Sequence, residues 1–156
     1  MNQKNLPPTT AGPDLGVVVS DVLGDLAFMV TDPEAMRLTP GAVWLQGEIQ
    51  YFGPVSGQLQ CWCTRDFAVQ LAANLLGLEV EEGGAQVAAE DAVREFMNVL
   101  CGQLVTAWHG AEAVFDLSIP TVCERLDPPG EPPEGSCRCQ LSIDGEPVYC
   151  VHLAAA

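Results

Sequence analysis

The sequence predicts an α/β (α+β) sandwich: a mainly antiparallel sheet with three helices, one of them long and central. Three observations carry this. Two stretches read as β-hairpins, apolar periodicity marks three helices between and before them, and strands come in runs rather than in strict βαβ alternation.

The elements follow in order. Residues 1–14 are polar and proline-bearing, end in Gly12-Pro13-Asp14 and read as a disordered lead-in to a single domain over residues 15–156. Val18, Val22, Leu26 and Met29 recur at helical spacing, so a first helix is expected over about 16–31, stopped by Asp32-Pro33. Residues 43–52 and 58–63 alternate and are separated by Gly53-Pro54 and Ser56-Gly57, the pattern of an antiparallel hairpin. A second helix is expected over 66–77, with Asp66 as its N-cap and Gly77 as its stop. After an acidic linker at 79–84, the longest helix runs from Ala85 or Val87 to His109 and closes at Gly110. Residues 113–120 and 121–125 read as a strand with Pro120 inside or at its edge, and residues 126–135 as a proline-rich loop. Strands at about 136–143 and 147–154, joined by Asp144-Gly145, complete the fold.

Composition narrows the partners. The chain has 156 residues, six Lys+Arg against 21 Asp+Glu, and a formal net charge of −15. Binding nucleic acid or an anionic membrane needs a cationic surface, so both are excluded as direct partners. With 48% hydrophobic residues the chain can build a core. No run is long and apolar enough to span a bilayer, and the first residues lack the apolar segment of a signal peptide. The expected compartment is therefore the cytoplasm, where the seven cysteines stay reduced.

The chemistry concentrates on the long helix. Val93, Phe96, Met97, Leu100, Leu104, Ala107 and Trp108 form a broad core stripe. Opposite them lie Asp91, Glu95, Asn98, Gly102, Thr106 and His109, flanked by Arg94. A glycine within a helix costs about 1 kcal/mol relative to alanine. Gly102 therefore suggests either tight packing inside the fold or the approach of another molecule to the backbone.

Asp91-x-x-x-Glu95-x-x-Asn98, followed by the Pro120 of Asp116-Leu117-Ser118-Ile119-Pro120, resembles the D/S-x-x-x-E-x-x-N…P signature of the CheC/CheX/FliY phosphatases. The interval to the proline is one residue shorter than in the family. Gly24-Asp25-Leu26-Ala27-Phe28-Met29 is similar to the first-helix segment of CheX-like domains, and Gly102 stands where the family often has glycine. The resemblance spans residues 16–154. It gives meaning to a weak two-fold echo between the halves of the chain, since CheC-type members carry the motif twice and CheX-type members once. Aligning Asp21 with Asp91 sets Asp25 opposite Glu95 and Phe28 opposite Asn98. Phenylalanine has no amide, which leaves a single site, as in CheX, within a CheC/CheX-like pseudo-two-fold arrangement.

The resemblance implies a phosphatase acting on the aspartyl phosphate of a CheY-like receiver domain. Asn98 would position the attacking water, since an amide both donates and accepts hydrogen bonds, and Glu95 would anchor to the receiver's lysine. Asp91, Gly102 and Pro120 would contribute to the partner-binding surface. No cofactor of its own is implied; Mg²⁺ would be held by the receiver. A homodimer is implied as well. The alternative is a non-catalytic receiver-binding or flagellar-switch-like interaction domain on the same fold. A third reading, zinc held by Cys61-Trp62-Cys63 and Cys137-Arg138-Cys139, requires their strands to be neighbours. Otherwise these cysteines, with Cys101, Cys123 and Cys150, are small core residues. Trp44, Trp62 and Trp108 are expected in the core or an interface. No Ser/His/Asp or Cys/His ordering and no glycine-rich phosphate loop is present.

Overall fold

The computed structural model describes residues 13–33 and 40–155. Its elements are α1 (Leu15–Ala27), β1 (Trp44–Phe52), β2 (Gly57–Thr64), α2 (Arg65–Leu76), α3 (Gly83–Val87), α4 (Ala89–His109), β3 (Asp116–Leu117), β4 (Thr121–Arg125), β5 (Cys137–Ile143) and β6 (Glu146–Ala154). The six strands form one antiparallel sheet in the order β3-β1-β2-β6-β5, with β4 pairing the same edge of β1 as β3. This is the α+β arrangement expected from the sequence. Residues 1–12 of the expected lead-in, like residues 34–39, lie outside the described residues. Pro13 and Asp14 are fixed: the Trp108 indole N–H donates to the Pro13 carbonyl at 2.8 Å, and the Asp14 carboxylate caps α1 by accepting from the Val17 N–H at 2.9 Å.

All four helices lie on one face of the sheet. Residues alternate strictly along the strands, so Leu45, Ile49 and Tyr51 of β1, Leu59, Cys61 and Cys63 of β2, and Val148 and Cys150 of β6 join the core with the apolar stripes of α1, α2 and α4. β4 and β5 stand at opposite edges, so residues 126–136 must cross the whole sheet. They do so on the face away from the helices, where Trp44 is buried, Trp44 and Tyr149 meet edge-on, and Glu131 lies beside Tyr149.

Several boundaries differ from the sequence reading, each for a local reason. The first helix ends at Ala27 rather than near residue 31. Phe28 turns left-handed, and the next residues are drawn to the β5–β6 hairpin: the Asp144 N–H donates to Val30 and the Asp32 N–H to Ser142. The N-cap of α2 is Thr64, whose hydroxyl accepts from the Phe67 N–H at 3.1 Å; Asp66 stands in the first turn, favourable to the helix dipole. Gly77 ends the helix at φ 68°, as expected. The acidic linker is partly helical. A fourth, five-residue helix (α3) is set off from α4 at Ala88, so the long helix begins at Ala89. Ala107 is exposed rather than part of the core stripe.

The strand expected over 113–125 is interrupted. Tyr51 faces Leu117 and Glu48 faces Thr121, so Ser118, Ile119 and Pro120 oppose only Ile49 and Gln50. One residue is extra, a bulge, and proline fits where no ladder donor is required. Ser118 closes the gap: its N–H donates to the Gln50 carbonyl and its hydroxyl accepts from the Gln50 N–H, both at 2.9 Å.

The cysteine strands are not neighbours, because β6 separates β2 from β5. Cys61, Cys63, Cys101, Cys137 and Cys150 are buried in the core and Cys139 is half-buried, whereas Cys123 is exposed on β4, against expectation. Among the described residues no group of three or more His, Cys, Asp or Glu side chains is arranged to hold a metal ion. No helix among them is long and apolar enough to cross a membrane.

Candidate functional site

The site begins with how α4 is seated. A Cβ at Gly47 would lie 2.9 Å from Met97 Cγ and 3.3 Å from Val93 Cγ1, so the glycine lets the helix settle onto the middle of β1. Phe96, Met97, Leu100 and Leu104 are fully buried beneath it. Their burial fixes the rotation of the helix and turns the opposite row outward. Asp91, Glu95, Asn98 and Thr106 are exposed, and Gly102 and His109 are partly so.

On that row, Glu95 and Asn98 are three residues apart, adjacent on one helix face with their Cβ atoms about 5–6 Å apart. Their neighbours are compensated by charge. Arg94 Nη1 donates to the Asp91 carboxylate at 2.7 Å, while Arg94 Nη2 approaches Glu90 at 3.8 Å. Arg65 lies 3.9 Å from Glu90 and 3.5 Å from Glu124. No ion pair or hydrogen bond engages the side chains of Glu95 or Asn98 among the described residues. A carboxylate and an amide thus stand side by side in water, the one able to accept hydrogen bonds and the other to accept and donate them.

Gly102 has open space around it: a Cβ there would meet nothing within 4 Å outside its own helix. The packing reading of this glycine therefore does not hold, and its bare backbone faces outward one turn beyond Asn98. Pro120 belongs to a different element, at the bulge between β3 and β4. Both strands pack beside α4, but no hydrogen bond connects Pro120 to Glu95 or Asn98.

The first half of the chain supplies no second copy of the pair. Asp21 and Asp25 are exposed on α1, but Phe28 lies past the helix end with its side chain in solvent. Between the C-terminal halves of α1 and α2 and the start of α4 runs a trough of about 340 Å³, lined by Leu26, Ala72, Leu75, Leu76, Ala88 and Ala92 with Asp91 and Glu95. It was not anticipated from the sequence. The available signal was Leu75-Leu76, two large apolar residues directly before the helix stop.

Behind the site, His152 is buried in the core, and the half-buried His109 at the end of α4 packs against the Phe115 ring. His152 Nε2 is hydrogen-bonded to the Tyr51 hydroxyl at 2.7 Å, and Trp108 packs edge-on against its ring. Burial, with the proximity of His109, pushes the His152 imidazole down to about 4. Burial raises the Tyr51 hydroxyl to about 12. The core thiols are likewise raised by burial, Cys63 and Cys101 to about 12, which keeps them protonated and unreactive.

The family model described as "Chemotaxis phosphatase CheX" matches residues 45–144, which run from the second residue of β1 through β5 and include all of α4. Solved structures agree along most of the chain. The chemotaxis protein CheX from Vibrio vulnificus aligns with a TM-score of 0.68 at 17% identity, covering 90% of this chain and 96% of that one. A CheC-like superfamily protein from a Shewanella species aligns with a TM-score of 0.66 at 18% identity over the full length of both. CheX in the CheX-CheY-BeF3-Mg²⁺ complex of Borrelia burgdorferi aligns with a TM-score of 0.63 at 17% identity, covering 91% and 96%. No curated protein matches the chain.

Proposed function

The chain belongs to the chemotaxis phosphatase CheX family, and from that premise we propose that it hydrolyses the aspartyl phosphate of a CheY-like receiver domain. The observation that carries this reading is the exposed, unengaged pair Glu95 and Asn98 on a helix whose remaining acids near the pair are matched by arginines.

In the proposed reaction, water attacks phosphorus, the bond from phosphorus to the receiver's aspartate oxygen breaks, and inorganic phosphate and a free carboxylate result. Catalysis of such a transfer is chiefly positioning. The Asn98 amide can accept from the attacking water with its oxygen, or donate to it with its nitrogen, and needs no change of ionisation to do so. Glu95 meets the receiver lysine beside the phosphate, an ion pair that orients the partner and speeds encounter. Asp91 supports the face through Arg94, and Gly102 and Pro120 border the contact surface. Mg²⁺, which would neutralise phosphate charge, sits on the receiver; this chain supplies no ligand to it. The phosphorylated receiver is thus substrate and partner at once. The homodimer implied by the family stays a separate proposal.

The test is the decay of a phosphorylated receiver from the same organism, followed with and without the protein. Acceleration is expected, and Asn98→Ala should lower it by about 10²-fold or more. Glu95→Ala should instead raise the receiver concentration needed for half-maximal effect. Tight binding with unchanged decay would identify a non-catalytic receiver-binding domain.

A further inference from the structure

Phe28 adopts a backbone conformation that phenylalanine avoids. At φ 57° and ψ 30° its Cβ crowds the neighbouring backbone, and helix ends of this geometry ordinarily use glycine or asparagine. The turn itself does not need the ring. The Phe28 N–H donates to the Gly24 carbonyl and the Met29 N–H to that of Leu23, while the buried Met29 side chain provides the apolar contact that closes such a cap. On one side Asn74 Nδ2 donates to the Ala27 carbonyl at 2.9 Å, and on the other the Val30 N–H donates to Asp144. The Phe28 ring, meanwhile, is 83% exposed. A strained backbone and an unburied aromatic ring at one position point to a role outside the fold.

The surroundings specify that role. The Asn74 bond ties the ends of α1 and α2 together at Ala27, the residue before Phe28, and between the same helix ends lies the trough, floored by Leu26, Leu75 and Leu76, with Leu76 itself 57% exposed. Asp91 and Glu95 form part of its wall, and among the described residues no cation lines it. Asp91 is matched by Arg94; Glu95 is not. A second hollow on the other side of Leu26 carries Asp21 and Asp25. The occupant must therefore be apolar and basic. A second copy of this chain, with six Lys+Arg against 21 Asp+Glu, is a poor match in charge. A receiver that brings a lysine to Glu95 is already positioned at the trough, because Glu95 belongs to both.

We propose that Phe28 and this trough are a second anchor for the receiver partner, holding one of its apolar side chains next to a lysine or arginine. The proposal rests on the phosphatase reading and adds a determinant of affinity separate from the catalytic pair. An exposed aromatic beside an apolar pocket is the usual make-up of an interface hot spot.

The experiment compares wild type with Phe28→Gly and Leu76→Ser, reading receiver-phosphate decay against receiver concentration, binding to the receiver held with BeF3 and Mg²⁺, and thermal unfolding. Phe28→Gly is expected to unfold at the same temperature as wild type or higher. Both variants are expected to raise the half-saturating receiver concentration, and to weaken binding, about tenfold while leaving the maximal rate within about twofold. Half-saturation and binding within twofold of wild type, with Asn98→Ala still inactive, would overturn the anchor and leave the phosphatase reading standing. A fall in the unfolding temperature of Phe28→Gly would overturn it too, since the ring would then serve the fold. If wild type neither binds nor dephosphorylates any receiver of its organism, the phosphatase reading fails and the anchor with it.

Discussion

Arg94 donates to Asp91 across one turn of α4 at 2.7 Å, and by doing so leaves Glu95, its immediate successor, uncompensated. Residues i and i+1 point in different directions on a helix, so Arg94 cannot serve both. The two carboxylates of one face thereby differ in charge compensation. Asp91→Asn should change receiver dephosphorylation by less than about threefold, whereas Glu95→Gln should raise the half-saturating receiver concentration by about tenfold. Steady-state assays over a range of receiver concentrations distinguish them.

Gly102 offers a substitution that separates fold from function. Its Cβ position is open, so Gly102→Ala should stabilise the helix by about 1 kcal/mol and raise the midpoint of thermal unfolding by about 2–4 °C. If the bare backbone receives the partner, the same variant loses activity while gaining stability. Calorimetry and the decay assay on one preparation read both.

Much of this was legible in the sequence because periodicity and turn chemistry are local. The alternation of residues 43–52, the Asp144-Gly145 turn and the apolar stripe of α4 each specify an element without reference to the rest of the fold. The row Asp91, Glu95, Asn98, Gly102 was legible for the same reason, since a helix with one buried stripe must expose the opposite one. What was not legible depended on distant partners. Residues 30–32 leave the helix pattern because the β5–β6 hairpin, more than a hundred residues on, offers them hydrogen bonds. The bulge at Ser118-Ile119-Pro120 needs the β1 register, and the trough needs three helix ends to meet.

Gly47 decides how closely α4 approaches the sheet. Gly47→Ala would press on Met97 and Val93, and overpacking of this kind costs about 1–3 kcal/mol. Chemical denaturation should show that loss. Catalysis should fall beyond it, because the displaced helix carries Glu95 and Asn98.

His152 predicts a pH dependence of stability. The unfolded chain takes up a proton near pH 6.5 and the folded chain only near 4, so between these values the unfolded state binds more protons. This contribution is complete above about pH 6.5, declines as pH falls toward 4 and levels off below, a change on the order of 3 kcal/mol. Urea denaturation from pH 4 to 7.5 should show a slope that is smaller in His152→Gln, which retains a partner for the Tyr51 hydroxyl.

In the proposed reaction everything turns on Asn98 placing the water that hydrolyses the receiver's aspartyl phosphate. The direct measurement is single-turnover decay of a phosphorylated receiver at saturating protein, wild type against Asn98→Ala. Wild type is expected to accelerate decay, and Asn98→Ala, although it still binds the receiver and unfolds at an unchanged temperature, is expected to return the rate to within a few-fold of the receiver alone. Equal acceleration by the two proteins would contradict it.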